Sequence, residues 1–563
     1  MPKVIILGGG VAGMSAAHEL VERGFEVEVY ERHKKYPGGK ARSVDVSIPG
    51  LQQKEPLPGE HGFRFFPGFY KHVIDTMKRI PFRDVDGAAN SVFENLVPTD
   101  RVRMARDGKK SIISIVNFPR SLSDLKTLLE DMHADTGLTA EEKSFFAERV
   151  WQLMTSCYER RAAEYEGISW WDFTQADRFS QTYRNLLVQG LTRTLVAANA
   201  KFASTKTGGD IFLQLIFNMA NPGVQTDRVL NAPTNEAWLY PWLDYLDSKG
   251  VKYFKHHEVK KLLVKDKKIS AAELWDKSSN QTVTASGDYF LLAVPVEKAA
   301  PLINGEMVTA DPTLQGTIKL ADSVAWMNGV QYYLRESAEI VKGHCIYSDS
   351  PWALTSISQL QFWKGYDIAA KGDGNTKTIL SVDVSDWSQA GSNGKQAKDC
   401  SHEEIKDEIW KQITASLNVS GQIVVQQETP ALWHIDGDIK ALPQEREMNE
   451  EPLLVNTINS WALRPEAATA IPNFFLASDY VRTYTDLATM EGANEAARRA
   501  VNGILKASGS NATPCELWNL HEPGLLQPFR KHDLARYRKG LPWQPYQPWW
   551  LKTLLWIIRL FRK

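Results

Sequence analysis

Six residues near the N-terminus, Gly8-Gly9-Gly10-Val11-Ala12-Gly13, have the types and spacing to hold a pyrophosphate. In such a turn the first glycine (Gly8) permits a sharp bend and the second (Gly10) lets backbone amides approach the phosphates. The third, Gly13, lets the following helix pack closely on the strand before it. That helix opens at Val11 and Ala12, so its N–H groups and partial positive charge face the anion. An acid, Glu31, follows 18 residues after Gly13 and is placed to accept hydrogen bonds from a ribose. A carboxylate there repels a 2′-phosphate, which argues against NADP.

The elements that must position these residues are legible around them. Val4-Ile5-Ile6-Leu7 is a continuous β-favouring run, as a strand buried on both faces requires. Met14 to Val21 has helical character, and Glu26-Val27-Glu28-Val29-Tyr30 reads as a second strand ending at Glu31. Strand, glycine turn, helix, strand and acid together specify a dinucleotide and leave FAD and NAD both open.

Further motifs follow in order. Arg32 precedes Pro37-Gly38-Gly39-Lys40-Ala41-Arg42-Ser43, and then comes Gly59-Glu60-His61-Gly62-Phe63-Arg64-Phe65-Phe66. Val259 lies in a mid-chain β-rich stretch, and Asp288 to Pro295 reads as a strand ending in proline. Ile471 to Tyr480 reads as strand then turn, and Thr489-Met490-Glu491-Gly492-Ala493 opens an alanine-rich helix to Leu505. In this order the motifs resemble those of the flavin amine oxidase and phytoene desaturase superfamily, which implies FAD as cofactor. The resemblance places Arg32, Gly38, Gly39, Lys40, Ala41 and Arg42 along the FAD phosphates and ribitol, and Gly62, Phe63 and Arg64 near the isoalloxazine ring. It implies that Val259 meets the adenine through its backbone and that Asp479 accepts a ribitol hydroxyl. It also implies that the helix start at Met490, Glu491, Gly492 and Ala493 faces the flavin N1–O2 edge. Ser478 stands where the family has glycine.

The implied fold is α/β with α+β character: a Rossmann-like FAD-binding domain of the glutathione-reductase type with an inserted substrate domain. Residues 1–95, 225–300 and 455–510 are expected to form the first, 96–224 and 301–454 the second, and 511–563 a C-terminal extension. Phe65-Phe66-Pro67-Gly68-Phe69-Tyr70 resembles the desaturase branch, and hydroxysqualene dehydroxylase shares these features. The expected reaction is therefore desaturation or dehydrogenation of a hydrophobic isoprenoid or carotenoid-type substrate by hydride transfer to flavin N5, with quinone or oxygen as final acceptor. A flavin amine or amino-acid oxidase, or an isomerase or dehydroxylase of a lipid, are the alternatives. No catalytic base is assigned. Arg64, His434 and Arg464 are the candidates, and Trp461 and Tyr484 are candidates for a cavity wall. Eighteen tryptophans imply a large apolar lining.

The 563 residues carry 66 basic and 67 acidic side chains, a balance that offers no footprint for nucleic acid. Cys157, Cys345, Cys400 and Cys515 have neither CxxC nor metal-ligand spacing, so we expect no metal, no disulfide framework and a reducing, cytoplasmic setting. No run of about 18 apolar residues is present to span a bilayer. The last fifteen residues, WWLKTLLWIIRLFRK, differ from the rest. As a helix, 549–563 sets Trp550, Leu554, Ile557, Ile558 and Phe561 on one side and Lys552, Arg559 and Lys563 on the other. This fits a peripheral anchor in the membrane interface, or a helix docked on the protein's own core or a partner subunit. Oligomeric state is left open.

Overall fold

The computed structural model describes residues 1–83, 87, 89–117, 136–190, 199–441 and 447–546. The amphipathic tail at 549–563 lies outside the described residues. Two compact units form. The first comprises the described residues of Met1–Ala134, Asn218–Val455 and Ala462–Asn519, and the second those of Asp135–Phe217, Asn456–Trp461 and Leu520–Lys563.

The first unit is built on a five-stranded sheet in the order Lys252–Lys255, Glu26–Glu31, Lys3–Leu7, Tyr289–Leu292, Phe474–Leu476. All four pairings are parallel. Val4 to Leu7 have no exposed surface, which accounts for the unbroken aliphatic run. Helix Val11–Val21 leaves the glycine turn, and helix Met490–Ser508 lies against it. Small residues line that contact, with Ala16, Ala17, Ala493, Ala496 and Ala497 all buried. The Asn494 amide donates across it to Ser15 Oγ at 2.9 Å. The strands and helices expected around the glycine turn and the Met490 helix are thus neighbours in one Rossmann-like layer. Next to it, His257–Lys265, Lys268–Asp276 and Gln281–Ala285 form an antiparallel meander.

A second, seven-stranded sheet runs in the order Trp433–Ile435, Asn328–Leu334, Thr378–Val384, Leu354–Ser358, Gly343–Tyr347, Arg101–Arg106, Lys109–Ile115. Helix His402–Leu417 begins in a capping box between Ser401 and Glu404 and buries Ile405, Ile409, Trp410 and Ile413 in one core with Tyr332, Leu380 and Val382. Residues 101–115 therefore share a sheet with the 301–441 stretch. The remainder of the 96–224 segment does not follow the division drawn from sequence: 136–217 belongs to the second unit, together with 456–461 and 520–546.

The second unit is helical. Ala140–Thr155, opened by a Thr139–Glu142 capping box, packs Phe146 and Leu153 with Tyr165, Trp170, Phe173, Tyr183 and Leu213. Arg160 is fully buried and ion-paired to Asp533 at 3.0 Å, which fixes Gln527–Tyr537 to the preceding helices. All four cysteines are buried and free of disulfides.

Candidate functional site

A cavity of about 540 Å³ lies in the first unit at the carboxyl ends of its parallel strands. Gly8, Arg32, Ala293 and Ser478, each just beyond a strand end, are all in its wall. This is where open parallel sheets bind ligands, because the turns diverge there and leave backbone N–H groups unpaired.

At one end sits Glu31. Its carboxylate is buried and accepts the Gly9 N–H at 2.8 Å and the His33 N–H at 2.7 Å. Burial raises its pKa against the pull of these two N–H groups and Arg32. The backbone thus holds both oxygens in place, and each keeps a lone pair for a ribose hydroxyl. His257, Glu258, Val259 and Lys260 form the adjoining wall.

Next comes the glycine turn. Gly8 has φ +110°, and a Cβ there would lie 2.6 Å from the Ala293 carbonyl oxygen. A Cβ on Gly13 would lie 1.9 Å from the Gly8 oxygen, so Gly13 acts by close packing below the cavity while Gly10, Val11 and Ala12 line it. This cradle fits a pyrophosphate.

Opposite the turn, Gly38, Gly39, Lys40, Ala41 and Arg42 line the cavity. Arg64 braces this segment, donating to the Lys40 carbonyl at 2.7 Å and the Ala41 carbonyl at 3.2 Å. Arg42 donates to Glu451 at 2.9 Å and to Asp438 at 2.8 Å, and Arg32 pairs with Glu451 as well. His61 closes the cluster with Nδ1 at 2.6 Å from Asp436. Burial would lower the His61 pKa, but the Asp436 charge and hydrogen bond overcome it and push it up to about 9. On the far side stand Ser478 and Asp479, with the Asp479 carbonyl held by Arg464 at 2.6 Å. Ser478 takes φ +143°, a glycine-type backbone on a residue with a side chain.

The other end carries Gly62, Phe63, Phe65, Tyr70, Met327, Asp383, Met490 and Ala493. Helix Met490–Ser508 points its N-terminus here. Thr489 caps it by accepting the Gly492 N–H at 3.1 Å.

Seven residues singled out from the sequence as site or cavity-wall candidates are not in this wall. Gly13 and Gly492 pack behind it. The Glu491 side chain turns away and accepts the N–H groups of Lys71, His72 and Val73 at 2.7 to 2.9 Å, together with His72 Nδ1 at 2.7 Å. Burial would raise the Glu491 pKa, but these bonds hold it below the usual carboxylate range. Two of the three catalytic candidates are corrected. His434 packs against Gly59 outside the wall, where burial lowers its pKa to about 4, and Arg464 is spent on the carbonyls of Asp479 and Val481. The third, Arg64, lines the cavity but uses its guanidinium on backbone carbonyls. Tyr484 lies under the Arg499 guanidinium, with 38% of its surface exposed, and Trp461 belongs to the second unit, where its backbone N–H donates to Glu166 at 2.8 Å.

The sequence reading missed His61, Asp383, Met327 and Glu451. Asp383 did carry a signal, as one acid inside the apolar run Thr378–Val384, where every residue is buried. No tryptophan among the described residues lines the cavity.

The description "NAD(P)-binding Rossmann-like domain" matches residues 6–80. The zeta-carotene desaturase of Synechocystis sp. is 25% identical over 306 residues, covering 52% of this chain and 58% of that enzyme. The 1-hydroxycarotenoid 3,4-desaturase of Flavobacterium sp. is 32% identical over 88 residues, 15% of each chain. The chain thus aligns with little more than half of the first of these curated relatives and far less of the second. Among solved structures, putrescine oxidase bound to putrescine superposes with a TM-score of 0.58 at 12% identity, covering 90% of this chain and 99% of that one. Cyclohexylamine oxidase from Brevibacterium oxydans gives 0.54 at 13% identity, covering 90% and 99%. At such identities the superpositions establish the fold alone. This chain is therefore similar in sequence to carotenoid desaturases over part of its length, carries an NAD(P)-binding Rossmann-like domain at residues 6–80, and shares its fold with two amine oxidases.

Proposed function

We propose that the cavity holds FAD and that the protein is an FAD-dependent oxidoreductase that removes two hydrogens from a hydrophobic isoprenoid or carotenoid-type substrate. The observation that carries this reading is one continuous cavity from Glu31, past the glycine turn and Asp479, to the N-terminus of the Met490 helix. A helix N-terminus favours a group that gains negative charge on reduction, as a flavin does. It disfavours an oxidised nicotinamide, which is already cationic.

When bound, FAD supplies the two-electron acceptor for hydride. The chain supplies position and exclusion of water. Glu31 would hold the ribose, the amides after Gly8 the phosphates, and the Arg64-braced segment with Asp479 the ribitol. Phe63, Phe65, Tyr70 and Met327 give the ring end an apolar wall that keeps water from the reacting carbons. Two relatives named as carotenoid desaturases support the substrate class. So does the tail at 549–563, which would dock the protein peripherally on a cytoplasmic membrane face where such a substrate dissolves. Quinone or oxygen would reoxidise the cofactor.

The test is turnover of ζ-carotene in liposomes with added quinone, after confirming a stoichiometric FAD absorption spectrum. A chain that takes up no FAD removes the proposal. The fold shared with two amine oxidases favours amine oxidation as a second reading. Rapid peroxide formation with putrescine or cyclohexylamine, and none with ζ-carotene, would establish that reading instead.

A further inference from the structure

Asp383 lies on the strand Thr378–Val384 and forms part of the cavity wall beside Gly62, Phe63 and Arg64. Its carboxyl accepts the Phe63 N–H, yet Oδ1 has no hydrogen-bond partner. A buried acceptor left unpaired costs on the order of 1–3 kcal/mol. The neighbouring chain makes room at this oxygen, since a Cβ on Gly62 would stand 2.8 Å from Oδ1.

The groups around Asp383 set its charge. Arg64 and His61 face it from the segment that lines the cavity, and His344 from the strand Gly343–Tyr347. Its partners on the two adjoining strands, Gly329 and Thr355, carry no charge. Burial outweighs the opposing pull of these groups and raises its pKa to about 7. Among the described residues it is the one carboxyl in the wall at the end formed by Phe63, Phe65, Tyr70 and Met327.

We propose that Asp383 is the proton acceptor of this site, taking the proton from the carbon next to the one that gives up hydride. The inference rests on the FAD reading above. The electron pair of the C–H bond broken by Asp383 becomes the second bond of the new C=C. The neighbouring hydrogen leaves with its pair to the flavin as two-electron oxidant. The substrate thus loses one proton, which makes Asp383 a neutral acid, and one hydride that carries both electrons. A base titrating near neutrality suits this task, since it is ionised enough to accept a proton and basic enough to hold one.

The test uses the full-length protein loaded with FAD. The midpoint potential of the bound flavin is followed against pH in the wild type, Asp383→Asn, Asp383→Glu and Glu60→Gln. Glu60 is included because burial raises it, too, to about 7, while its carboxylate is occupied by Thr234. The wild type and Glu60→Gln are expected to show a change of slope near pH 7 that Asp383→Asn lacks. In anaerobic single turnover with ζ-carotene in liposomes, Asp383→Asn should reduce its flavin roughly 100-fold more slowly or worse. A slope change retained in Asp383→Asn, or flavin reduction at the wild-type rate, overturns the inference. If Asp383→Asn does not fold, Asp383→Glu decides: a displaced slope change with slowed reduction supports the role, and behaviour identical to the wild type overturns it. A wild type that binds no FAD marks failure of the underlying reading instead.

Discussion

Two side chains at the strand ends govern how the site is held. Glu31 offers a buried carboxylate whose oxygens are already oriented by Gly9 and His33. Removing it deletes both ribose acceptors and strands the two N–H groups. Glu31→Ala is therefore expected to weaken FAD binding by roughly 10- to 100-fold, on the scale of about 1.5–3 kcal/mol for charged hydrogen bonds. Fluorescence titration of the flavin-free protein measures it, and an unchanged dissociation constant would refute the ribose assignment. Ser478 holds φ +143° and gains only a 3.2 Å contact from its hydroxyl to Asp479. Ser478→Gly should relieve that strain and stabilise the protein by about 1 kcal/mol, read as a higher thermal midpoint with FAD binding preserved. The sequence identified Ser478 as a departure from the family glycine. Its backbone cost became visible only in the structure.

At the scale of elements, the N-terminus of helix Met490–Ser508 has two jobs, and only one was legible from sequence. The helix start was expected to face the flavin, and Met490 and Ala493 do line the cavity. Glu491 instead projects sideways and ties down the first turn of helix His72–Arg79. Helix periodicity explains the split, because neighbouring positions point about 100° apart. Glu491→Ala leaves three backbone N–H groups without their shared acceptor and is expected to destabilise the first unit by about 2–4 kcal/mol. Glu491→Gln, which keeps an acceptor oxygen, should cost less. Urea unfolding followed by flavin release measures both, and equal losses would contradict the capping role. The parallel sheet, by contrast, was readable because Lys3–Leu7, Tyr289–Leu292 and Phe474–Leu476 are short apolar runs and Glu26–Glu31 alternates charged with apolar or aromatic residues. The hairpin Arg101–Ile115 was not, since its place in the seven-stranded sheet depends on pairing with Gly343–Tyr347, more than two hundred residues away.

For the whole molecule, eighteen tryptophans suggested an extensive apolar cavity lining. Those described sit elsewhere. Trp238 and Trp242 stack 5.7 Å apart with no exposed surface, and Trp352 and Trp410 are core residues of the seven-stranded sheet. Large aromatic side chains supply the most buried area per residue, so a chain of this size spends most of them on packing. No helix among the described residues is long and apolar enough to cross a membrane. Membrane contact through the tail is a proposal that rests on its sequence alone. Deleting 549–563 is expected to abolish sedimentation with anionic liposomes while leaving the FAD spectrum intact. Undiminished liposome binding would assign contact to another surface.

The sequence by itself determined the dinucleotide turn, its ribose acid and the strands and helix that carry them, because backbone geometry around Gly8 and Gly13 is local. It also carried the order of motifs by which the chain resembles the flavin amine oxidase and phytoene desaturase superfamily. Only the tertiary structure decided what stands at the far end of the cavity. Asp383 reaches Gly62 through strand register with Gly329 and Leu354–Ser358, and His61 meets Asp436 across more than three hundred residues of chain. Such contacts are fixed by how sheets pair and which oxygen is left unpaired on burial, and no spacing along the chain encodes either.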